Sequence, residues 1–235
     1  MHADIDIAAV GSLVAEPSRA SILVALMDRR SKTAKELALE AGVTPQTVSS
    51  HLGKLLAGRL LVVQARGRHR YFRLASDDVG RAVEALMAVA PARPVRDPGR
   101  ASALEAMRAA RTCYDHLAGR LGVAVTEAMV RARWIQPRKG DYRVSPRGEA
   151  SLGALGIDLG HARRQRRTFA RACLDWSERR PHLAGALGAA FASRCFELGW
   201  LRRSPDGRQV MLTERGRREL GRTLSVASLR PSHGT

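Results

Sequence analysis

Cysteine is scarce in this chain. The 235 residues hold three, Cys113, Cys173 and Cys195, and a small odd set excludes a disulfide scaffold and fits a reduced compartment. Long apolar runs are missing too. The longest clean run of apolar and small residues, 183–192, spans ten positions, far below a membrane span. The first residues, Met1-His2-Ala3-Asp4-Ile5-Asp6, place acids where a signal peptide needs a basic and then an apolar stretch. A cytoplasmic protein with no membrane partner is expected. No glycine-rich phosphate loop, metalloprotease motif or second acid/base pair occurs, so catalysis is not expected. Lysine is rare as well: only Lys32, Lys35, Lys54 and Lys139 among 40 basic residues. With abundant alanine and glycine, that reads partly as coding bias and weakens any argument from charge alone.

The charge that remains is large. Lys+Arg less Asp+Glu is 40 − 22 = +18, and a chain this basic is expected to meet a polyanion, nucleic acid first. The length allows one large domain or two small ones. A seam lies at residues 91–100, where Pro91, Pro94 and Pro98 forbid a continuous helix. Splitting the chain there gives 12 − 9 = +3 for residues 1–90 and 28 − 13 = +15 for residues 91–235. The organisation expected is a domain over 1–90, a Pro-rich linker over 91–100 and a second domain over 101–235.

Residues 1–90 read as helices followed by one hairpin. Ile5, Ala8, Ala9 and Leu13 repeat at helical spacing, and Pro17 opens a second helix with Ile22, Leu23, Leu26 and Met27 inward. Thr33 is an N-cap for a helix that Gly42 stops, and Thr44 with Pro45 starts another that runs to about Ala57. From Leu61 to Leu74 the pattern turns extended around Arg66-Gly67-Arg68, and a last helix follows from about Asp77 to Ala90. Two short helices around Gly42 and then a basic hairpin is the order of a winged helix-turn-helix, whose second helix enters the major groove while the wing contacts backbone or minor groove. Val48, Leu52 and Leu55 face inward. Thr44, Gln46, Thr47, Ser49, Ser50, His51 and Lys54 are the candidate DNA contacts of the helix, and Arg66, Arg68, His69, Arg70 and Tyr71 those of the wing, with Arg73 adding a fifth basic group to the hairpin.

Ser49-Ser50-His51-Leu52 with Leu55, Gly58-Arg59-Leu60-Leu61, and the run from Arg66 to Leu74 make residues 5–90 resemble the ArsR/SmtB family of bacterial repressors. The resemblance implies a homodimer, packed mainly through its first and last helices, on an inverted-repeat double-stranded DNA operator. It also shows what is absent. Founding members sense metalloids through cysteines on the helix before the turn, and here residues 32–39 hold none; others bind zinc or nickel through Asp and His on the last helix, and residues 77–84 hold no histidine. An effector must enter elsewhere.

The second half repeats itself. Residues 116–125 (HLAGRLGVAV) match 182–191 (HLAGALGAAF) at seven of ten positions with an offset of 66, and Trp134 and Trp200 keep that offset. Val144-Ser145-Pro146-Arg147-Gly148 matches Leu212-Thr213-Glu214-Arg215-Gly216 at 68. Upstream, Thr112-Cys113-Tyr114-Asp115 echoes Ala172-Cys173-Leu174-Asp175 at 60, which implies an insertion at residues 176–181. Repeats of about 108–158 and 168–226 are expected, each reading helix, helix, short hairpin, helix. Neither could bury its apolar face alone. The fold class is therefore mainly α with short β-hairpins: a winged helix-turn-helix, then a pseudo-two-fold, duplicated winged-helix-like domain that resembles a C-terminal extension of longer ArsR-like regulators.

Cys113, Asp115, His116, Cys173, Asp175 and His182 are the candidate effector-sensing residues. On a helix, Cys113 and His116 share a face. With Cys173 and His182 they form a Cys2His2 set adequate for zinc or a softer metal. Thiol redox sensing, helped by Arg111 and Arg171, is a second reading. In the third these groups are buried structural residues and the seam takes an organic ligand. The cofactor is thus unassigned, with a metal ion among the options. A nucleophilic Cys113-Asp115-His116 set is disfavoured, because positions two apart on a helix do not converge. The arginine-rich run 161–171 reads either as a solvated helix face or as a second phosphate contact. The function expected is an effector-released repressor; the alternative is an architectural DNA-binding protein without sequence preference.

Overall fold

The computed structural model describes residues 5–91, 97–205 and 207–224, so residues 92–96 of the expected linker and the end of the second expected repeat lie outside the described residues. The chain divides into two compact units, residues 1–86 and 87–235. Among the described residues no single helix is long and apolar enough to cross a membrane.

The N-terminal unit follows the expected order. Helices α1 (Ile7–Val14) and α2 (Pro17–Ala25) lead into a short 3-10 turn (Leu26–Asp28), strand β1 (Lys32–Thr33), α3 (Ala34–Ala41), α4 (Pro45–Ala57), the hairpin β2 (Leu61–Arg66) and β3 (His69–Leu74), and α5 (Asp77–Val89). Local chemistry sets the boundaries. Thr33 and Glu36 form a reciprocal capping box at α3, and Gly42 ends that helix in the left-handed conformation. The Thr44 side chain caps α4, with Pro45 at its first turn, where a missing N–H is harmless. Ile22, Leu23, Leu26, Met27, Leu37, Val48, Leu52, Leu55 and Phe72 form the core.

The C-terminal unit opens with α6 (Pro98–Ala109), capped by the Asp97 side chain. Pro98 thus starts a helix, since proline suits a first turn as well as it suits a linker. Then β4 (Arg111–Cys113), β5 (His116–Ala118), α7 (Gly119–Arg131), β6 (Ile135–Arg138), β7 (Asp141–Val144) and α8 (Pro146–Ala154) follow. After α9 (Leu159–Arg164) the same order returns: β8 (Arg171–Leu174), β9 (Pro181–Ala184), α10 (Gly185–Glu197), β10 (Leu201–Arg203), β11 (Val210–Leu212) and α11 (Glu214–Leu224). Each copy therefore begins with a hairpin, not the helix expected from sequence.

The matching residues have matching duties. Gly119 and Gly185 start α7 and α10 with φ of 74° and 77°, where a side chain would be strained. A Cβ on Gly148 or Gly216 would stand 2.0 Å from the carbonyl oxygen of Trp134 or Trp200. Ser145 and Thr213 cap the following helices at 3.0 and 2.9 Å. The copies also interlock. β7 of the first pairs with β8 of the second through Asp141 and Arg171, and the Val210 N–H donates to the Ala110 carbonyl beside a bridge between Gln209 and Arg111. Each second hairpin thus extends the other copy's first hairpin, and one core of Leu121, Met129, Trp134, Leu187, Phe191 and Trp200 runs through both.

Candidate nucleic-acid interface and a buried cysteine-histidine cluster

Helix α4 presents two faces. Val48, Leu52 and Leu55 are buried, while Gln46, Ser50 and Lys54, each four residues on, stand exposed in one row. The other candidates are partly engaged. The Thr44 and Thr47 hydroxyls pair at 2.9 Å, and Ser49 Oγ donates to the Pro45 carbonyl at 2.8 Å. His51 is half-buried, its Nε2 3.6 Å from Glu16 Oε2. Glu16 in turn accepts from the Ser18 and Arg19 N–H groups at 3.0 and 2.8 Å. His51 therefore ties the helix to α2, while Thr44, Thr47 and Ser49 are exposed but engaged locally, and Gln46, Ser50 and Lys54 form the exposed row with no such local bond.

The wing follows the register that places Arg66 opposite His69, with Gly67 and Arg68 at the turn. Arg66, Arg68, His69 and Arg70 are all exposed. Arg66 donates to Gln64 Oε1 at 3.2 Å and lies 5.9 Å from the Tyr71 ring centre; Arg70 lies 5.6 Å from that of Phe72. The aromatic residues of β3 thus brace guanidinium groups whose charge still faces outward.

In the C-terminal unit the repeat brings four side chains together. Cys113 pairs across β4–β5 with His116, and Cys173 across β8–β9 with His182. The four donor atoms all lie within 4.8 Å of one another, and all four residues are buried. The Nε2 atoms of His116 and His182 are 3.1 Å apart. The helical reading of Cys113 and His116 is corrected here. A spacing of three brings side chains together on a helix and equally across a two-residue hairpin turn, and Tyr114 supplies that turn with φ 58°. A signal was available in the sequence: the second copy separates its Cys and His by nine residues, which would put them on opposite faces of a helix, whereas a hairpin with a longer turn accommodates both spacings.

Carboxylates back the imidazoles. Asp115 Oδ1 lies 3.1 Å from His116 Nδ1, and Asp175 Oδ2 lies 3.4 Å from His182 Nδ1. Arg167 pairs with the other oxygen of Asp115. Asp175 Oδ1 accepts from Arg111 at 2.8 Å and from the Ser177 N–H at 2.9 Å, and Oδ2 accepts from the Gly119 N–H at 2.7 Å. Arg111 is fully buried and lies 4.3 Å from the Trp176 ring centre. Arg111 therefore serves Asp175, and sequence reasoning missed it in that role together with Arg167, Trp176 and Ser177. Of the arginine run, Arg163 pairs with Glu149 and lies over Phe169, whereas Arg164 and Arg166 are exposed.

The electrostatics follow from these contacts. A hydrogen bond from Cys113 holds the Cys173 thiol far below the usual thiol range, opposed by burial and reinforced by His116 and His182. Burial would push both aspartates up, but His116 with Arg167 holds Asp115 down, and Arg111 with Ser177 and Gly119 does so for Asp175. Burial lowers His182, favouring the neutral imidazole. Cys195, outside the cluster, is pushed up to about 12 by burial alone.

A helix-turn-helix domain family matches residues 14–64. The chain is 42% identical over 221 residues to the uncharacterized HTH-type transcriptional regulator YdfF of Bacillus subtilis (strain 168), covering 94% of this chain and 98% of that one. Among solved structures, the cadmium metal-sensor CMTR from Mycobacterium tuberculosis is 35% identical, with 39% of this chain and 95% of that chain covered and a TM-score of 0.33. The winged helix-turn-helix domain of Mb0332 from Mycobacterium bovis, a possible ArsR-family regulator, is 26% identical over 38% of this chain and 89% of that one, with a TM-score of 0.33. The chain belongs to the HTH-type transcriptional regulators, and is a DNA-binding regulator rather than an enzyme.

Proposed function

We propose that this regulator is a cytoplasmic homodimeric repressor that binds an inverted-repeat operator and is released by an effector bound in its C-terminal unit. The observation that carries the reading is the exposed row Gln46, Ser50 and Lys54 on α4, set beside a wing of exposed arginines. Gln46 supplies base-edge hydrogen bonding and the wing supplies phosphate contacts. A second chain is favoured by α1, which is largely apolar yet buries none of its residues. Ile7 and Val10 on α1, and Leu86 on α5, are exposed large apolar side chains of this unit, and exposed apolar surface is what an interface covers.

Binding of the full-length protein to its own promoter region and to unrelated DNA, across a salt series, tests the reading. Arg68→Ala with Arg70→Ala should weaken binding to every sequence and reduce the salt slope by about 2, whereas Gln46→Ala should alter base preference at one position per half-site by about 1–3 kcal/mol. Equal affinity for all long duplexes would instead establish the architectural alternative. A monomer at working concentrations would overturn the dimer.

A further inference from the structure

We propose that Cys113, His116, Cys173 and His182 form a closed tetrahedral site for one divalent ion of the zinc class, held between the two repeats. The site stands apart from the DNA reading and lies on none of the helices where the family resemblance places sensor ligands.

Geometry comes first. With metal–sulfur bonds of about 2.3 Å and metal–nitrogen bonds of about 2.0–2.1 Å, a tetrahedron sets its donors roughly 3.3–3.8 Å apart. The four donors here already converge within 4.8 Å, and the two Nε2 atoms are 3.1 Å apart, so only small shifts are needed. Each hairpin contributes one Cys and one His as a cross-strand pair, and the fully buried Ala118 and Ala184 pack with the two cysteines.

The electron pairs point the same way. An imidazole whose Nδ1–H faces a carboxylate presents its Nε2 lone pair, and metal-bound histidines are commonly supported in this way. Asp115 stands at the His116 Nδ1 in this way, and Asp175 Oδ2 lies 3.4 Å from the buried His182 Nδ1, which makes no hydrogen bond of its own and needs only a small turn of the ring to gain one. Two lone pairs 3.1 Å apart in the protein interior repel unless a proton or a cation lies between them. A divalent ion serves both nitrogens and both sulfurs at once.

The charges then balance. Two thiolates offset a divalent ion, and the aspartates are matched by Arg167 and Arg111. Mixed sulfur and nitrogen donors select zinc, cadmium or cobalt over magnesium or calcium. Four protein ligands leave no position for substrate, so the ion fixes structure and does not catalyse.

The full-length protein, stripped with chelator under reducing conditions and titrated with Co2+, should take up one equivalent with the visible spectrum of a tetrahedral thiolate site. Zn2+ should displace it. Cys113→Ser and His182→Gln should abolish that spectrum, Asp115→Asn should weaken binding by about 10–100-fold, and Cys195→Ser should change neither stoichiometry nor spectrum. Because ligand variants can fail to fold, proton release from wild type is measured alongside: with Cys173 already favouring the thiolate, binding should expel at least the proton that Cys113 donates to it. A wild type that takes up no cobalt overturns the proposal, as does uptake without proton release or an unchanged spectrum in folded Cys113→Ser. None of these readouts involves DNA, so the repressor reading stands or falls separately.

Discussion

The two units place their polar groups in opposite ways. The N-terminal unit sends Gln46, Lys54, Arg68 and Arg70 outward. The C-terminal unit, although it carries most of the positive charge, buries an ion pair, two histidines and two cysteines at its centre. The first arrangement suits a surface that meets DNA and costs little to alter. The second concentrates the energetics in a few groups that must all be satisfied at once.

That contrast can be broken by comparing like with like. Asp175→Asn leaves Arg111 charged in a site with no solvent exposure, and should cost about 3–5 kcal/mol in denaturant unfolding. Asp78→Asn, which breaks the exposed pair with Arg81, should stay within about 0.5 kcal/mol. Similar losses at the two sites would refute the difference between the units.

Next come Gly148→Ala and Gly216→Ala, each of which drives a methyl group into a tryptophan carbonyl. Each should cost about 1–3 kcal/mol, and by nearly the same amount if the copies are mechanically equivalent. A large loss from one and none from the other would show that one copy dominates stability.

The smallest effect belongs to the N-terminal unit. Thr33→Ala removes the capping box at α3 and should cost about 1 kcal/mol. Thr33 also holds the Glu36 carboxyl below its ordinary value by hydrogen bonding. A lowered folded-state value means that this contribution is full above the unfolded glutamate pKa and fades as pH falls through the folded one. The gap between wild type and Thr33→Ala should therefore narrow on acidification. A constant gap would assign the loss to helix propensity.

The N-terminal unit was largely legible because its signals are local. Thr33, Thr44, Pro45 and Gly42 mark helix ends through contacts within a few residues, and the hairpin turn Gly67-Arg68 was visible in the charge pattern. The grouping of Cys113 with Cys173, 60 residues on, came from internal repetition rather than periodicity. What failed was the backbone beneath it. Strands of three residues, such as β4 and β5, are buried on both faces and so lack the alternation that identifies a strand. The salt link from Arg167 to Asp115 spans 52 residues and leaves no local trace.

The exchange of hairpins between the copies bears on what a half-length chain would do. A fragment ending after α8 would lose the β8 partner of β7 and the Gln209 bridge at β4, leaving two strand edges unpaired. Open edges recruit other edges. Two such fragments could satisfy one another by trading wings, so a single repeat expressed alone should assemble as a domain-swapped pair with Cys113 and His116 of both chains meeting at the dyad. The intact chain makes that encounter intramolecular, and its cluster then no longer depends on protein concentration.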